Sequence, residues 1–164
     1  MGIRPAQERD LPRILEIERA AFPSPWPLEL LRGHLGEHGF MVYEQDGQLT
    51  AYLIVGIKIP SLWERVEKRT RALVGQRVDL EERTGHIMNL AIDPSFRRRG
   101  LGTLLLQQGL QYLKELGADR AELEVRIHNA PAIQLYEKYG FRIQERFSNY
   151  YGIGEDAYLM VRSF

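Results

Sequence analysis

Apolar positions along the chain change period several times, and each change marks an element. Leu11, Ile14, Leu15, Ile17 and Ala21 fall on one helix face, with Asp10 placed as the cap and Pro12 in the first turn, so a helix is predicted to about Phe22. Phe22-Pro23-Ser24-Pro25-Trp26-Pro27 ends it, because proline lacks the amide hydrogen that a helix interior uses. A second helix is predicted from Leu28 to about Leu35, closed by Gly36 or Gly39, and a short strand from Ile3 to about Pro5 precedes both. Phe40 to Gln45 and Gln48 to Ile59 flank Asp46-Gly47, the dipeptide that suits a type I′ hairpin turn.

The second half continues in the same way. Ile87-Met88-Asn89-Leu90-Ala91-Ile92, closed by Asp93-Pro94, predicts a strand buried on both faces. Leu105, Leu106, Leu110, Leu113 and Leu116 then recur at helical spacing until Gly117. From Ala121 to Ile127 the period is two, with Ala121, Leu123, Val125 and Ile127 on one side and Glu122, Glu124 and Arg126 on the other. Asn129 caps a further helix with Pro131 in its first turn; Ile133, Tyr136 and Tyr139 share a face, and Gly140 ends it. Strands at about Phe141 to Phe147 and Asp156 to Ser163 close the chain, joined by a loop holding Tyr150 and Tyr151. This succession predicts an α/β, or α+β layered, fold in which helices cover a mixed sheet.

One stretch does not fit a compact layer. Pro60 to Gly85 predicts an inserted helical excursion with a mobile C-terminal part, in which Trp63, Val66, Thr70, Leu73 and Val74 line one side among Arg65, Lys68, Arg69, Arg71, Arg77 and Arg83. Its mixed charge reads as a solvated face, and contact with RNA is the rival reading.

Bulk properties narrow the setting. With 164 residues the chain is expected to form a single domain, residues 1–164. Lys and Arg total 22 and Asp and Glu total 22, so no global field favours nucleic acid or a membrane surface. The absence of cysteine removes disulfides, thiolate metal ligands and a cysteine nucleophile. No metal is expected. No signal-peptide core and no stretch of membrane-spanning length occur, and Gly2 lacks the downstream Ser or Thr of a myristoylation site, so a cytoplasmic protein, monomer or weak dimer, is expected.

Candidate chemistry centres on Arg97-Arg98-Arg99-Gly100-Leu101-Gly102, followed by Thr103, between the apolar strand and its helix. Three guanidinium groups, two glycines and a helix start make an anion site suited to a phosphate or pyrophosphate. A Walker loop needs Gly-Lys followed by Ser or Thr and a dinucleotide fingerprint needs a third glycine, whereas Gly102 is followed by Thr103, Leu104 and Leu105.

His86-Ile-Met-Asn-Leu-Ala-Ile-Asp-Pro-Ser-Phe-Arg-Arg-Arg-Gly-Leu-Gly, followed by Leu123-Glu-Val-Arg-Ile-His-Asn-Ala-Pro-Ala-Ile-Gln-Leu-Tyr-Glu-Lys-Tyr-Gly-Phe, resembles the GCN5-related N-acetyltransferases from residue 86 to the C-terminus. Tyr150-Tyr151 with Glu155-Asp156-Ala157 is similar to the protein N-terminal acetyltransferases, the RimI-like ribosomal-protein-alanine and archaeal Ard1-like group. The 60–85 excursion is more similar to the archaeal type. The resemblance implies a mostly antiparallel central sheet with helices on both faces. It also implies acetyl-CoA as donor, its pyrophosphate on the basic glycine loop, and Leu90, Ala91 and Ile92 beside the pantetheine and acetyl group. Asn129 resembles the family's CoA-contacting asparagine while also serving as a helix cap.

Acetyl transfer to an amine needs a neutral amine, a stabilised oxyanion and a protonated thiolate. An α-amino group has a pKa near 8 and a lysine near 10.4, so the former is on the order of a hundred times more often neutral at pH 7. Glu124 is the first candidate base, with an ion pair to Arg126 as the structural alternative, and the resemblance gives the matching residue that role. His86 is the second candidate base, or a structural histidine. Tyr136 is the candidate acid by resemblance; by periodicity alone it is a core tyrosine. The backbone at Leu90 and Ala91 supplies an oxyanion donor. Tyr150 and Tyr151 face Pro25 and Trp26 across a slot for the peptide's first residues, Trp26 serving as slot wall or core plug. A protein or peptide N-terminus, a ribosomal protein included, is the expected partner. The rivals are a small-molecule amine acetyltransferase and a non-catalytic module that binds CoA or contacts RNA.

Overall fold

The computed structural model describes residues 1–76 and 82–164. Its elements are β1 (Gly2–Pro5), α1 (Leu11–Ala21), α2 (Leu28–Gly33), β2 (Phe40–Gln45), β3 (Gln48–Ile57), α3 (Leu62–Leu73), β4 (Thr84–Ile92), α4 (Leu101–Glu115), β5 (Arg120–Arg126), α5 (Ala130–Lys138), β6 (Arg142–Phe147) and β7 (Ala157–Ser163). The strands form one sheet in the order β1-β2-β3-β4-β5-β7-β6, antiparallel throughout except where β4 meets β5. A mixed, mostly antiparallel sheet is therefore present, and each face has its own core.

On one face Leu105, Leu106, Leu110 and Leu113 of α4 pack with Leu53, Val55 and Leu123, and Tyr136 and Phe141 join them. A Cβ on Gly109 would stand 2.6 Å from Leu53 Cδ2, so glycine there lets α4 approach β3. On the other face Leu11, Ile14 and Ile17 of α1 and Leu31 of α2 cover Phe40, Tyr52 and Ile54. The β2–β3 turn has positive φ at both Asp46 (52°) and Gly47 (76°), as a type I′ turn requires.

Several local expectations change. Asp10 does not cap α1 with its side chain; its carboxylate takes two hydrogen bonds from Arg4 and one from the Gln7 N–H, and a single 3₁₀ turn leads into the helix. Charge-assisted bonds to a guanidinium are stronger than a neutral cap bond, so Asp10 serves the β1–α1 junction instead. α2 is shorter than predicted, ending at Gly33. α3 does form, started by a capping box between Ser61 and Glu64, but it has no buried residue, and Leu62, Trp63, Val66, Leu73 and Val74 are exposed. Arg77 and part of the stretch expected to be mobile lie outside the described residues.

The largest departure concerns β4. It is buried at Ile87, Asn89 and Ala91 but half-exposed at Met88, Leu90 and Ile92. Ile54 opposes Asn89 and Val55 opposes Ile87, so Met88 is an extra residue and β4 carries a bulge. β4 and β5 stay in register only at Thr84–Arg120, Gly85–Ala121 and His86–Glu122, after which β5 continues beside β7 alone. The sheet opens there.

Candidate active site

The gap between β4 and β5 holds a cavity of about 110 Å³. Leu90, Val125, Asn129 and Tyr136 line it toward the α4 and α5 side; Glu18, Phe22 and Trp26 line it toward α1, with Glu124 and Tyr151 beside them. Its lining thus comes from both sides of the sheet, so groups carried on either face meet in one space.

Glu124 enters from β5 on the polar side of that strand's alternation. Its Oε2 lies 2.7 Å from His86 Nε2 on β4, so the two candidate bases form one hydrogen-bonded pair. The expected alternative partner, Arg126, pairs with Glu155 and lies over the Tyr151 ring, 4.2 Å from its centroid. Beside His86, the buried Glu122 is held by Lys58 Nζ at 2.7 Å and by Arg120 at 3.6 Å; Lys58 also reaches Glu64 of α3 at 3.2 Å. These carboxylates hold the Lys58 ammonium above its ordinary value against the lowering effect of burial.

Tyr136 projects from α5 into the same cavity, its ring edge-on to Phe141 at 5.8 Å. Burial holds its phenol well above the usual range, so it keeps its proton. Tyr151 donates to the Glu124 carbonyl at 3.2 Å, which pins the β6–β7 loop to β5, and burial pushes its phenol up to about 12. Tyr150 stands edge-on to Tyr151 at 4.9 Å and stacks on Phe147, half-exposed outside the cavity lining. Trp26 is half-buried, stacked on His34 at 5.8 Å; it packs on the α1 core and lines the cavity, so both readings of it describe one position. Its neighbour Pro25 is exposed and off the lining.

The basic turn lies past the end of β4, outside the cavity lining. Arg97, Arg98 and Arg99 are exposed; Arg97 Nε donates to the Ile92 carbonyl at 3.4 Å and Arg99 to the Ser95 carbonyl at 3.3 Å. Gly100 is the N-cap of α4 with φ 81° and has no side chain to cap the helix, so among the described residues the first-turn amides of Leu101, Gly102 and Thr103 are left for an anion. A Cβ on Gly102 would stand 3.1 Å from Ile92 Cδ1 and 3.3 Å from Leu135 Cδ2, so its smallness seats α4 against β4 and α5. Ile92 is half-buried beneath that start, Ala91 is buried toward α1, and Asn129 accepts from the Ala132 N–H as a helix cap while lining the cavity. These residues fit an elongated ligand whose anionic part rests at Gly100 and whose narrow part follows Leu90 into the gap, as acetyl-CoA would.

Sequence reasoning missed Glu18 and Asn89, two polar side chains on the cavity lining. Glu18 is buried beside the cavity and takes hydrogen bonds from the Trp26 N–H, Asn89 and Tyr52. Its signal was a charged residue on the apolar stripe of α1; Asn89 gave none, since it sits inside an apolar run.

The model of the acetyltransferase (GNAT) family matches residues 11–141. An N-alpha-acetyltransferase of Sulfurisphaera tokodaii is 37% identical over 163 residues, covering 97% of this chain and 90% of that protein. A [ribosomal protein bS18]-alanine N-acetyltransferase of Salmonella typhimurium is 35% identical over 155 residues, covering 93% of this chain and 90% of its own length. The crystal structure of Arabidopsis thaliana NAA60 in complex with acetyl-CoA is similar with a TM-score of 0.78 and 26% identity, covering 99% of this chain and 98% of that one.

Proposed function

The chain belongs to the acetyltransferase (GNAT) family, and from that premise we propose that it moves the acetyl group of acetyl-CoA to the N-terminal α-amino group of a protein. The relatives named for N-alpha-acetylation and for a ribosomal-protein alanine support a protein terminus as the acceptor, with ribosomal proteins among the substrates. One observation carries the reading. The cavity between β4 and β5 puts a carboxylate, Glu124, and a proton-bearing phenol, Tyr136, on the same space, with aromatic walls at Trp26 and Tyr151.

When bound, acetyl-CoA supplies the thioester carbonyl that is attacked and the thiolate that leaves. Glu124, held by His86, accepts a proton from the incoming ammonium group, directly or through a water, and frees the nitrogen lone pair. The nitrogen–carbon bond forms and the carbon–sulfur bond breaks. Backbone donors of β4 near Leu90, freed where β4 leaves β5, stabilise the carbonyl oxygen as it gains charge. Tyr136 gives its proton to the sulfur, and the second proton that the acylated nitrogen sheds restores the phenol, directly or through a water. Asn129 and the first turn of α4 hold the donor in place meanwhile.

The test is a panel of short peptides with free N-termini alongside spermidine and an aminoglycoside, assayed with acetyl-CoA. Peptide acetylation at the α-nitrogen, located by mass spectrometry, is expected, and Glu124→Gln should lower kcat by about 10²–10³-fold with acetyl-CoA binding unchanged. Turnover of the small amines alone refutes the peptide assignment. A Glu124→Gln enzyme as fast as wild type removes the base.

A further inference from the structure

Glu18 stands where the pattern of α1 asks for a hydrophobe. It follows Ile14 by four residues on the core-facing stripe, and only 1% of its surface is exposed. A buried carboxylate is costly unless its oxygens are satisfied. Three elements satisfy it: the Trp26 N–H donates to Oε1 at 2.8 Å, Asn89 Nδ2 donates to Oε2 at 3.1 Å, and the Tyr52 hydroxyl donates to Oε2 as well. Among the described residues the donors that meet the acid are a backbone amide, a side-chain amide and a hydroxyl, all neutral groups.

Packing alone does not call for such a group. Replacing a buried ionic group by a hydrophobe of similar size is often neutral or stabilising. The partners suggest a different reason. Trp26 belongs to the proline-rich loop that walls the cavity, and Asn89 follows the extra residue of the β4 bulge that opens it. The other charged groups on the lining are Glu124 and Arg126, and Arg126 is taken by Glu155. On the described lining two carboxylates therefore stand against one guanidinium, which Glu155 already pairs.

We propose that Glu18 is a positioning residue for the peptide's amino terminus. Its hydrogen bonds fix the Trp26 loop against the β4 bulge, and its uncompensated charge draws the α-ammonium group into the slot toward Glu124. This rests on the reading of the protein as an N-terminal acetyltransferase.

Glu18→Gln keeps the size of the side chain and an oxygen for the Trp26 N–H while removing the charge; Tyr52→Phe removes one donor and leaves the charge. Glu18→Gln is expected to raise the peptide KM about tenfold and to flatten the salt dependence of peptide kcat/KM, with kcat and the acetyl-CoA KM within twofold of wild type. Tyr52→Phe should melt earlier yet keep the wild-type peptide KM and salt dependence. A wild-type peptide KM and salt dependence in Glu18→Gln, or an equal rise in KM in Tyr52→Phe, overturns the proposal. Should Glu18→Gln fail to fold, a des-amino peptide is tested as a competitive inhibitor of the wild-type enzyme. It should bind about tenfold more weakly than the amino peptide at low salt and no more weakly at high salt; equal binding at low salt overturns the charge role. A wild-type enzyme that turns over no peptide takes both readings down, whereas turnover with an unchanged KM in Glu18→Gln removes only this one.

Discussion

At the scale of single residues, the task proposed for Tyr136 is to hold a proton until a thiolate appears. A phenol in water has a pKa of about 10, and burial in the gap raises that of Tyr136 further. The sign is clear: a raised value keeps the neutral, donating form across the whole range in which the base works. The kcat–pH profile should therefore rise with deprotonation of the base and then stay level to about pH 10, with no falling limb from the acid. Tyr136→Phe should lower kcat by about a hundredfold without changing the shape of the profile or the affinity for acetyl-CoA. A falling limb below pH 10 that disappears in the Phe variant would show a phenol titrating in range, and the environment assigned to Tyr136 would be wrong.

At the scale of elements, the junction of β1 and α1 rests on an ion pair where a helix cap was expected. Arg4 reaches Asp10 by bonds of 2.7 and 2.8 Å and Glu44 on β2 at 2.8 Å, so one guanidinium ties the edge strand to its neighbour and to the first helix. The Arg4 hydrogen bonds hold the Asp10 carboxyl below its usual range despite its burial. A depressed value contributes stability above the unfolded pKa, near 3.9, that is lost as the pH falls through the folded value. Asp10→Ala should cost about 2–3 kcal/mol at pH 7 in urea unfolding, and the gap to wild type should narrow below about pH 4. A constant gap across that range would assign the loss to packing. Elements of this kind show what a sequence can carry. The hairpin was legible because Asp46-Gly47 fixes its own turn, and the helices of the second half because their leucines keep a strict period. The bulge at Met88 was not, since an extra residue in a continuous apolar run leaves no trace in the pattern. The His86–Glu124 pair was equally hidden: each residue was visible as a candidate, but their meeting depends on which strands become neighbours.

For the whole molecule, the opening of the sheet divides the labour between two halves. β1 to β4 with α1, α2 and α4 form one, and β5 to β7 with α5 form the other, joined across the sheet by three registered pairs at Thr84, Gly85 and His86. Leu123, next after the last registered pair, packs with the α4 core, while the open end, lined by Tyr136, is left as a cleft. A ligand that lies along Leu90 and Asn129 replaces the missing pairs, so its binding should be felt as added cohesion between the halves. At a concentration of about a hundred times its Kd, CoA would stabilise the native state by about 2.7 kcal/mol, or roughly 5–10 °C in Tm for a chain of this size. Location is the sharper test. Hydrogen exchange should slow at the amides of Met88 to Ile92, at the first turn of α4 and at the start of α5 together, because one ligand spans all three. Protection limited to the start of α4, with exchange at Leu90 unchanged, would mean that the phosphates are bound while the acyl end stays outside the gap, and the catalytic assignment of Glu124 and Tyr136 would then lose its substrate.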